Sequence, residues 1–157
     1  DLLLDLAADG AISAVKDSSG DDVSFRRLVA RNAEAGSPLQ ILTGHEVMCD
    51  AMALLGADGA VPGLANVDPA GYVRLWRAAR AGDWAGAAAE QARLERLFRI
   101  VEVPIGRSAD SGGIGAFKAA LELLGVIESG AMPAPLRGLD EAEKTAVAAL
   151  LVEAGLR

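Results

Sequence analysis

The chain has 157 residues, 52% of them hydrophobic and 24% charged, which places it in the range of one globular domain and excludes an intrinsically disordered segment. Its formal net charge of -7 and pI of about 4.7 leave no basic stripe to displace counterions from phosphate, so neither nucleic acid nor an anionic membrane surface is an expected partner. The opening Asp1-Leu2-Leu3-Leu4-Asp5 carries acids where a signal peptide carries bases, and no apolar run approaches the ~18 residues that span a bilayer, so the chain reads as soluble.

Three times an apolar segment is followed by a polar or glycine-containing turn and then a helical pattern, the rhythm of βα units. The first segment is Ala11 to Val15, with a turn over Asp17 to Asp22 and a helix from about Val23 to Ala35. In that helix Phe25, Leu28, Val29 and Ala33 form one face against Arg26, Arg27 and Arg31, and Gly36-Ser37-Pro38 stops it. The second is Leu39 to Thr43, then Gly44 and an apolar helix from about Glu46 to Leu55, ended by Gly56. The third is Gly59-Ala60-Val61, leading through Pro62-Gly63 to Asp68-Pro69, a helix N-cap with proline at the first helical position.

Beyond Pro69 the pattern is helical. One helix carries Tyr72, Leu75, Trp76 and Ala79, and a second, capped by Asp83, carries Trp84, Ala87, Gln91, Leu94 and Phe98. A glycine-rich connector is expected over Gly106 to Gly113, then a helix to Gly125. Asp140 with Glu143 reads as a capping box for the last helix, which runs to Gly155. Three βα units do not close a sheet, and an eight-stranded barrel takes about 250 residues. With no initial methionine, and with Leu2, Leu3, Leu6 and Ala7 reading as the end of a helix, the chain is expected to be the C-terminal part of a larger domain.

The chemistry centres on Ile12-Ser13-Ala14-Val15-Lys16-Asp17, where a lysine ends an apolar run. A solvated lysine amine, with a pKa of about 10.4, is protonated at neutral pH, whereas desolvation favours the neutral amine that condenses with a ketone to a Schiff base. Only Lys16, Lys118 and Lys144 are lysines, beside twelve arginines, whose guanidinium cannot serve. On the pattern alone, Lys16 reads first as a strand-end lysine with its charge in water, ahead of the Schiff-base role. Lys118, inside an amphipathic helix, reads as structural. His45, the only histidine, follows a strand-end glycine without an acid or nucleophile at fixed spacing. Cys49, among Val47, Met48, Ala51 and Met52, reads as core; the lone cysteine excludes an internal disulfide and fits a reducing, cytoplasmic setting. No His or carboxylate cluster has metal spacing, and Gly112-Gly113-Ile114-Gly115 lacks the preceding strand of a phosphate-binding fingerprint.

The run Ile12 to Asp21, with Leu42-Thr43-Gly44, Gly56-Ala57-Asp58-Gly59-Ala60-Val61, Ala65-Asn66-Val67, Ala81-Gly82-Asp83 and Phe117-Lys118-Ala119-Ala120-Leu121, resembles the dihydrodipicolinate synthase and N-acetylneuraminate lyase family of pyruvate-dependent class I aldolases. The resemblance implies an α/β fold: the C-terminal part of a (β/α)8 TIM barrel, with strands 6 to 8 and their helices over residues 1–67. The last barrel helix and a C-terminal helical extension would then occupy 68–157, the N-terminal half of the barrel being absent. It also implies that Lys16 forms the imine with pyruvate or another small 2-oxo acid, with no cofactor. Gly44 and Val61 match positions that present backbone groups to the oxo acid, and Glu46 matches a carboxylate that contacts substrate hydroxyls in the sialic acid lyases. Against that Glu46 role stands an ordinary acid in the first helical turn. Val47 stands where those lyases have a second acid, and Pro62-Gly63 replaces a hydroxyl-bearing residue, which disfavours a sialic acid substrate. The family's proton-relaying tyrosine belongs to the earlier strands, so Tyr72 does not take that role, and this chain alone is expected to be inactive. The resemblance further implies a homo-oligomer, commonly a tetramer; Trp76, Trp84 and Phe98, which recur at helical spacing, read as core or packing surface. Aldol condensation and retro-aldol cleavage share the same imine, and a non-catalytic oxo-acid sensor is the alternative of another class.

Overall fold

The computed structural model describes residues 2–157 and is built from three short parallel strands and seven α-helices among the described residues; Asp1, included in the expected barrel portion over residues 1–67, lies outside them. In chain order they are α1 (Leu2–Ala8), β1 (Ala14–Asp17), α2 (Asp22–Glu34), β2 (Gln40–Thr43), α3 (Cys49–Leu55), β3 (Gly59–Ala60), α4 (Pro69–Arg80), α5 (Trp84–Phe98), α6 (Ala109–Leu123) and α7 (Glu141–Glu153). Single 3-10 turns cover Gly63–Asn66 and Arg99–Glu102. Two compact units divide the chain, one of residues 1–62 and 74–91, the other of residues 63–73 and 92–157.

In the first unit the strands lie in the order β1-β2-β3, all parallel, with Ala14 opposite Gln40, Lys16 opposite Leu42, and Leu42 opposite Gly59. Successive strand residues point to opposite faces. Val15 and Ile41 therefore share one face with the core, which also holds Ala7, Phe25, Leu28, Leu39 and Met52. Ala14, Lys16 and Leu42 share the other face, on which Ala14 and Lys16 are exposed. A parallel sheet normally has both faces covered. Burying a side chain such as Leu39 or Ile41, at 2% and 1% exposure, contributes about 1.5–3 kcal/mol each.

Three boundaries differ from those expected by three residues or more. The first strand begins at Ala14 rather than Ala11, because the amides of Ala11 and Ile12 donate back to the Leu6 carbonyl (2.9 and 3.4 Å) and so finish α1. The helix expected from Glu46 starts at Cys49, since 46 and 47 form a turn in which the Met48 amide donates to the His45 carbonyl at 3.1 Å. Gly56 then closes α3 in the left-handed conformation, φ 106°, which a residue with a Cβ adopts at a cost. Finally, the expected connector over Gly106 to Gly113 is helical from Ala109, with the Ser108 hydroxyl accepting from the Ser111 amide at 3.4 Å. Glycine costs a helix interior about 1 kcal/mol against alanine. Here close packing explains it at Gly115, where a Cβ would stand 3.2 Å from Leu139 Cδ1.

α2 is set at both ends. The Asp21 carboxylate accepts from the Ser24 amide (3.0 Å) and hydroxyl (2.7 Å), which holds its pKa below the ordinary carboxylate value. In the last turn, buried Asn32 donates to the Leu39 carbonyl at 2.7 Å and accepts from the Leu39 amide at 3.1 Å, so Leu39 launches β2 from a fixed point. Within the sheet the Asp58 carboxylate accepts from the Ile41 amide at 2.7 Å, and its own amide donates to the Ile41 carbonyl at 2.8 Å.

The second unit is helical. Leu94, Leu97, Ile100, Ala116, Ala120, Val147 and Leu151 are its buried core, and Phe98 meets Phe117 with ring centroids 6.4 Å apart. Asp68 is buried, accepts from the Gly71 amide at 2.9 Å and pairs with Arg93. The capping box of Asp140 and Glu143 forms as expected. Glu143 also accepts a two-armed bond from Arg107 (2.6 and 2.8 Å), whose second nitrogen reaches the Gly138 carbonyl at 3.1 Å. Hydrogen bonding to Arg107 is the main reason that the Glu143 carboxyl titrates at about 2 rather than in the usual carboxylate range. Because the folded-state value is depressed, the stability it confers is present above the unfolded value, about 4.3, and is lost as pH falls through the folded value. Arg107→Met should therefore lower the urea midpoint at neutral pH, and its gap to the parent should close between about pH 4.3 and pH 2. A gap that stays constant across that range contradicts the assignment.

Candidate functional site

The carboxyl ends of β1 and β2 are tied together by the Gly44 amide, which donates to the Asp17 carbonyl at 2.6 Å. The loop after β1 is held by short local bonds: the Ser19 amide donates to Asp17 Oδ1 at 2.7 Å and the Asp21 amide to the Ser19 hydroxyl at 3.1 Å. Against this loop lies the bare α-carbon of Gly44. A Cβ there would collide with Ser18 Oγ, would stand 2.5 Å from Lys16 Cε and would be 3.2 Å from the Asp17 carbonyl oxygen. Glycine at position 44 is thus the space that the Lys16 stem occupies.

Lys16 stands at the penultimate position of β1 on the face that the helices leave uncovered, and it is exposed. The desolvated setting expected from the apolar run Ala11 to Val15 is absent in this chain. The physical reason is the two-residue alternation of the strand, which sends Val15 into the core and Lys16 away from it. Gly44 is half-buried beside it, while Val61 is 47% exposed just beyond β3. Both backbone amides are already committed, Gly44 to Asp17 and Val61 to the Thr43 carbonyl at 2.8 Å, so the backbone groups they can turn toward a ligand are carbonyls.

Glu46 sits half-buried in the turn before α3, not in a first helical turn, which removes the helix-dipole reading of its charge. Its turn is anchored from α5: buried Gln91 donates to the Glu46 carbonyl at 3.2 Å and accepts from the Asp50 amide at 3.3 Å. No sequence signal marks this anchor, because the partners lie 45 and 41 residues away. The structure also supplies the acid that the sequence around His45 lacks, with His45 Nδ1 3.2 Å from Asp22 Oδ1 in the first turn of α2. Tyr72 is buried in α4, and Lys118 donates to the Ala131 carbonyl, as a structural lysine does. Trp84 is 41% exposed, whereas Trp76 and Phe98 are half-buried.

Cys49 is fully buried at the start of α3, with its thiol toward the His45 and Glu46 carbonyls at 3.5 and 3.8 Å. Burial foremost, with the charges of Glu46 and Asp50, pushes its thiol up to about 12. Core packing is its role. No helix among the described residues is long and apolar enough to cross a membrane.

A parallel sheet of three strands with helices on one face is compatible with part of a TIM barrel, in which eight parallel strands carry the active site at their carboxyl ends. The comparisons with known proteins agree: the model of the dihydrodipicolinate synthetase family matches residues 3–154, and the chain belongs to that family of aldolases and synthases. It is 31% identical over 155 residues to 4-hydroxy-tetrahydrodipicolinate synthase of Methanoculleus marisnigri, covering 99% of this chain and 50% of that protein. Its fold matches the dihydrodipicolinate synthase of Bacteroides thetaiotaomicron with a TM-score of 0.88 and 27% identity, over 96% of this chain and 49% of that one. It also matches YagE, a prophage protein of the dihydrodipicolinic acid synthase family from E. coli K12 in complex with pyruvate, with a TM-score of 0.85 and 26% identity over 99% and 51% of the two chains. The chain spans about half the length of the curated relatives it matches.

The packing of Cys49 makes one measurable demand. In the native protein Cys49 should resist iodoacetamide at pH 8, and it should be alkylated fully once urea unfolds the first unit. Rapid native alkylation would contradict its burial.

Proposed function

We propose that Lys16 forms a Schiff base with pyruvate or another small 2-oxo acid, and that the protein is a pyruvate-dependent lyase or synthase working by aldol condensation or retro-aldol cleavage. The observation that carries this reading is the placement of Lys16: the uncovered sheet face, the carboxyl end of β1, and a stem laid against the α-carbon of Gly44. Family membership and a relative crystallised with pyruvate support it. In this reading β1, β2 and β3 are strands 6 to 8 of the barrel, with their helices within residues 1–67. Residues 68–157 are the last barrel helix and a C-terminal helical extension. The uncovered face is then the barrel interior, and the strands opposite it in a whole barrel supply the desolvation that a neutral amine requires.

The neutral Nζ adds to the C2 carbonyl, and loss of water leaves an iminium. Electrons flow into that iminium to give an enamine, either from the C3–H bond, whose proton passes to solvent, or from the C3–C4 bond, as the C4 hydroxyl gives up its proton and the C4 fragment leaves as an aldehyde. In the condensing direction the enamine carbon attacks an aldehyde, whose oxygen takes up a proton to become the product hydroxyl, and water then hydrolyses the re-formed iminium to release the product and the lysine. The Gly44 and Val61 carbonyls accept from hydroxyl groups of the bound acid or adduct. Glu46, at the mouth of the β2–α3 loop, contacts hydroxyls of the second substrate, and Val47 removes the second acid that a sialic acid would use.

Borohydride reduction of the intact protein with pyruvate should add the reduced adduct to the peptide that holds Lys16. Lys16→Arg, which keeps the charge and cannot form an imine, should abolish the label. Label on another lysine, or none, overturns the assignment. Gly44→Ala should leave the protein folded, since the groups in its way are mainly side-chain ends, yet displace the Lys16 stem and slow labelling at least tenfold. Labelling at the parental rate would show that Gly44 does not position the lysine.

A further inference from the structure

We infer that Asp22 and His45 form a clamp between the β1–α2 and β2–α3 loops, and that this clamp positions Gly44 against Lys16. His45 is one residue beyond Gly44, and its amide donates to the hydroxyl of buried Thr43 at 3.0 Å, so its backbone is fixed from the strand side. Its ring is fixed from the other side by Asp22 Oδ1, 3.2 Å from Nδ1. A carboxylate at that distance selects the tautomer with hydrogen on Nδ1 and leaves Nε2 out of the contact. The backbone of Asp22 is set by α2. This aspartate is the first residue of α2, immediately after the Asp21 cap that binds the Ser24 amide and hydroxyl.

The consequence is geometric. Without the clamp, the two loops meet at the Gly44 amide bond to Asp17 and at the contact of Gly44 with Ser18 and Lys16. With it, they are also joined on the far side of Gly44, so that the glycine is held between two links. His45 acts through Gly44 and is a positioning residue. The side chains of His45 and Asp22 are 31% and 47% exposed, which limits the effect of such a pair to roughly two- to fivefold.

The role of Lys16 in this inference rests on the proposed imine chemistry, but the clamp is measurable apart from it. The amide nitrogen of asparagine overlays Nδ1 of histidine, whereas that of glutamine overlays Nε2, so the two replacements separate the two ring nitrogens. In the intact protein, hydrogen exchange of the peptide spanning 44–48 should speed up in Asp22→Ala and His45→Gln and stay near parental in His45→Asn. Pyruvate-dependent borohydride labelling of Lys16 should fall roughly two- to fivefold in the first two variants and be retained in the third. If exchange is unchanged in all three, or if His45→Asn loosens the loop as much as His45→Gln, the clamp is wrong. If exchange follows the expected pattern while the parent takes no label at Lys16, the clamp stands and the imine reading falls. If labelling falls with no change in exchange, His45 acts by a route other than this clamp, and the inference is overturned.

Discussion

Everything at the candidate site depends on the parallel pairing of Ala14–Asp17 with Gln40–Thr43 in one register. Strand side chains alternate, so a slip of one residue would bury Lys16 among Phe25, Leu28 and Met52 and turn Val15 into water. Burying an uncompensated ammonium costs several kcal/mol, and exposing the half-buried valine forgoes part of the about 1.5–3 kcal/mol that full burial contributes. The register is therefore strongly specified. The two contacts of Asn32 with Leu39 and the pair of bonds between Asp58 and Ile41 add hydrogen-bonded markers to that hydrophobic preference.

From the register the rest follows in order. Lys16 is delivered to the uncovered face, Gly44 leaves room for its stem, and the loop bonds of Asp17, Ser19 and Asp21 hold the turn that follows. The second unit is held by contacts of its own. Its own stability rests on a leucine and alanine core and on ion pairs anchored at helix ends, Arg93 with Asp68 and Arg107 with Glu143.

Much of the fold was legible because its signals are local. Asp140 and Glu143 stand at capping-box spacing, Asp68-Pro69 opens α4, and Gly56 closes α3, each marked by a residue type with a short-range cause. The misplaced boundaries share another cause, competition from a neighbour. Ala11 and Ile12 are apolar enough for a strand, yet their amides are taken by the end of α1; Gly112 and Gly113 look like loop, yet the Ser108 cap and packing beneath the helix carry them. Of the candidate site, Lys16 and Gly44 were singled out by the motif that surrounds them. The ties of Gln91 to the Glu46 turn and of Asp22 to His45 were not, because they join residues distant in sequence whose types alone carry no periodicity. The exposure of Lys16 was hidden for a related reason: an apolar run looks the same whether one face of its strand is covered or both.

The grip of Asn32 on Leu39 also bears on how such a chain assembles. The strands are parallel, so no hairpin can nucleate them, and each must wait for the helix that carries the chain back. Helices form within about a microsecond, far faster than long-range strand pairing. Once α2 exists, Asn32 presents a donor and an acceptor that match the Leu39 backbone seven residues on, and β2 leaves the helix already aimed at β1. A single amide side chain thereby acts as a starting block for folding, converting a distant search between two strands into a short, local step.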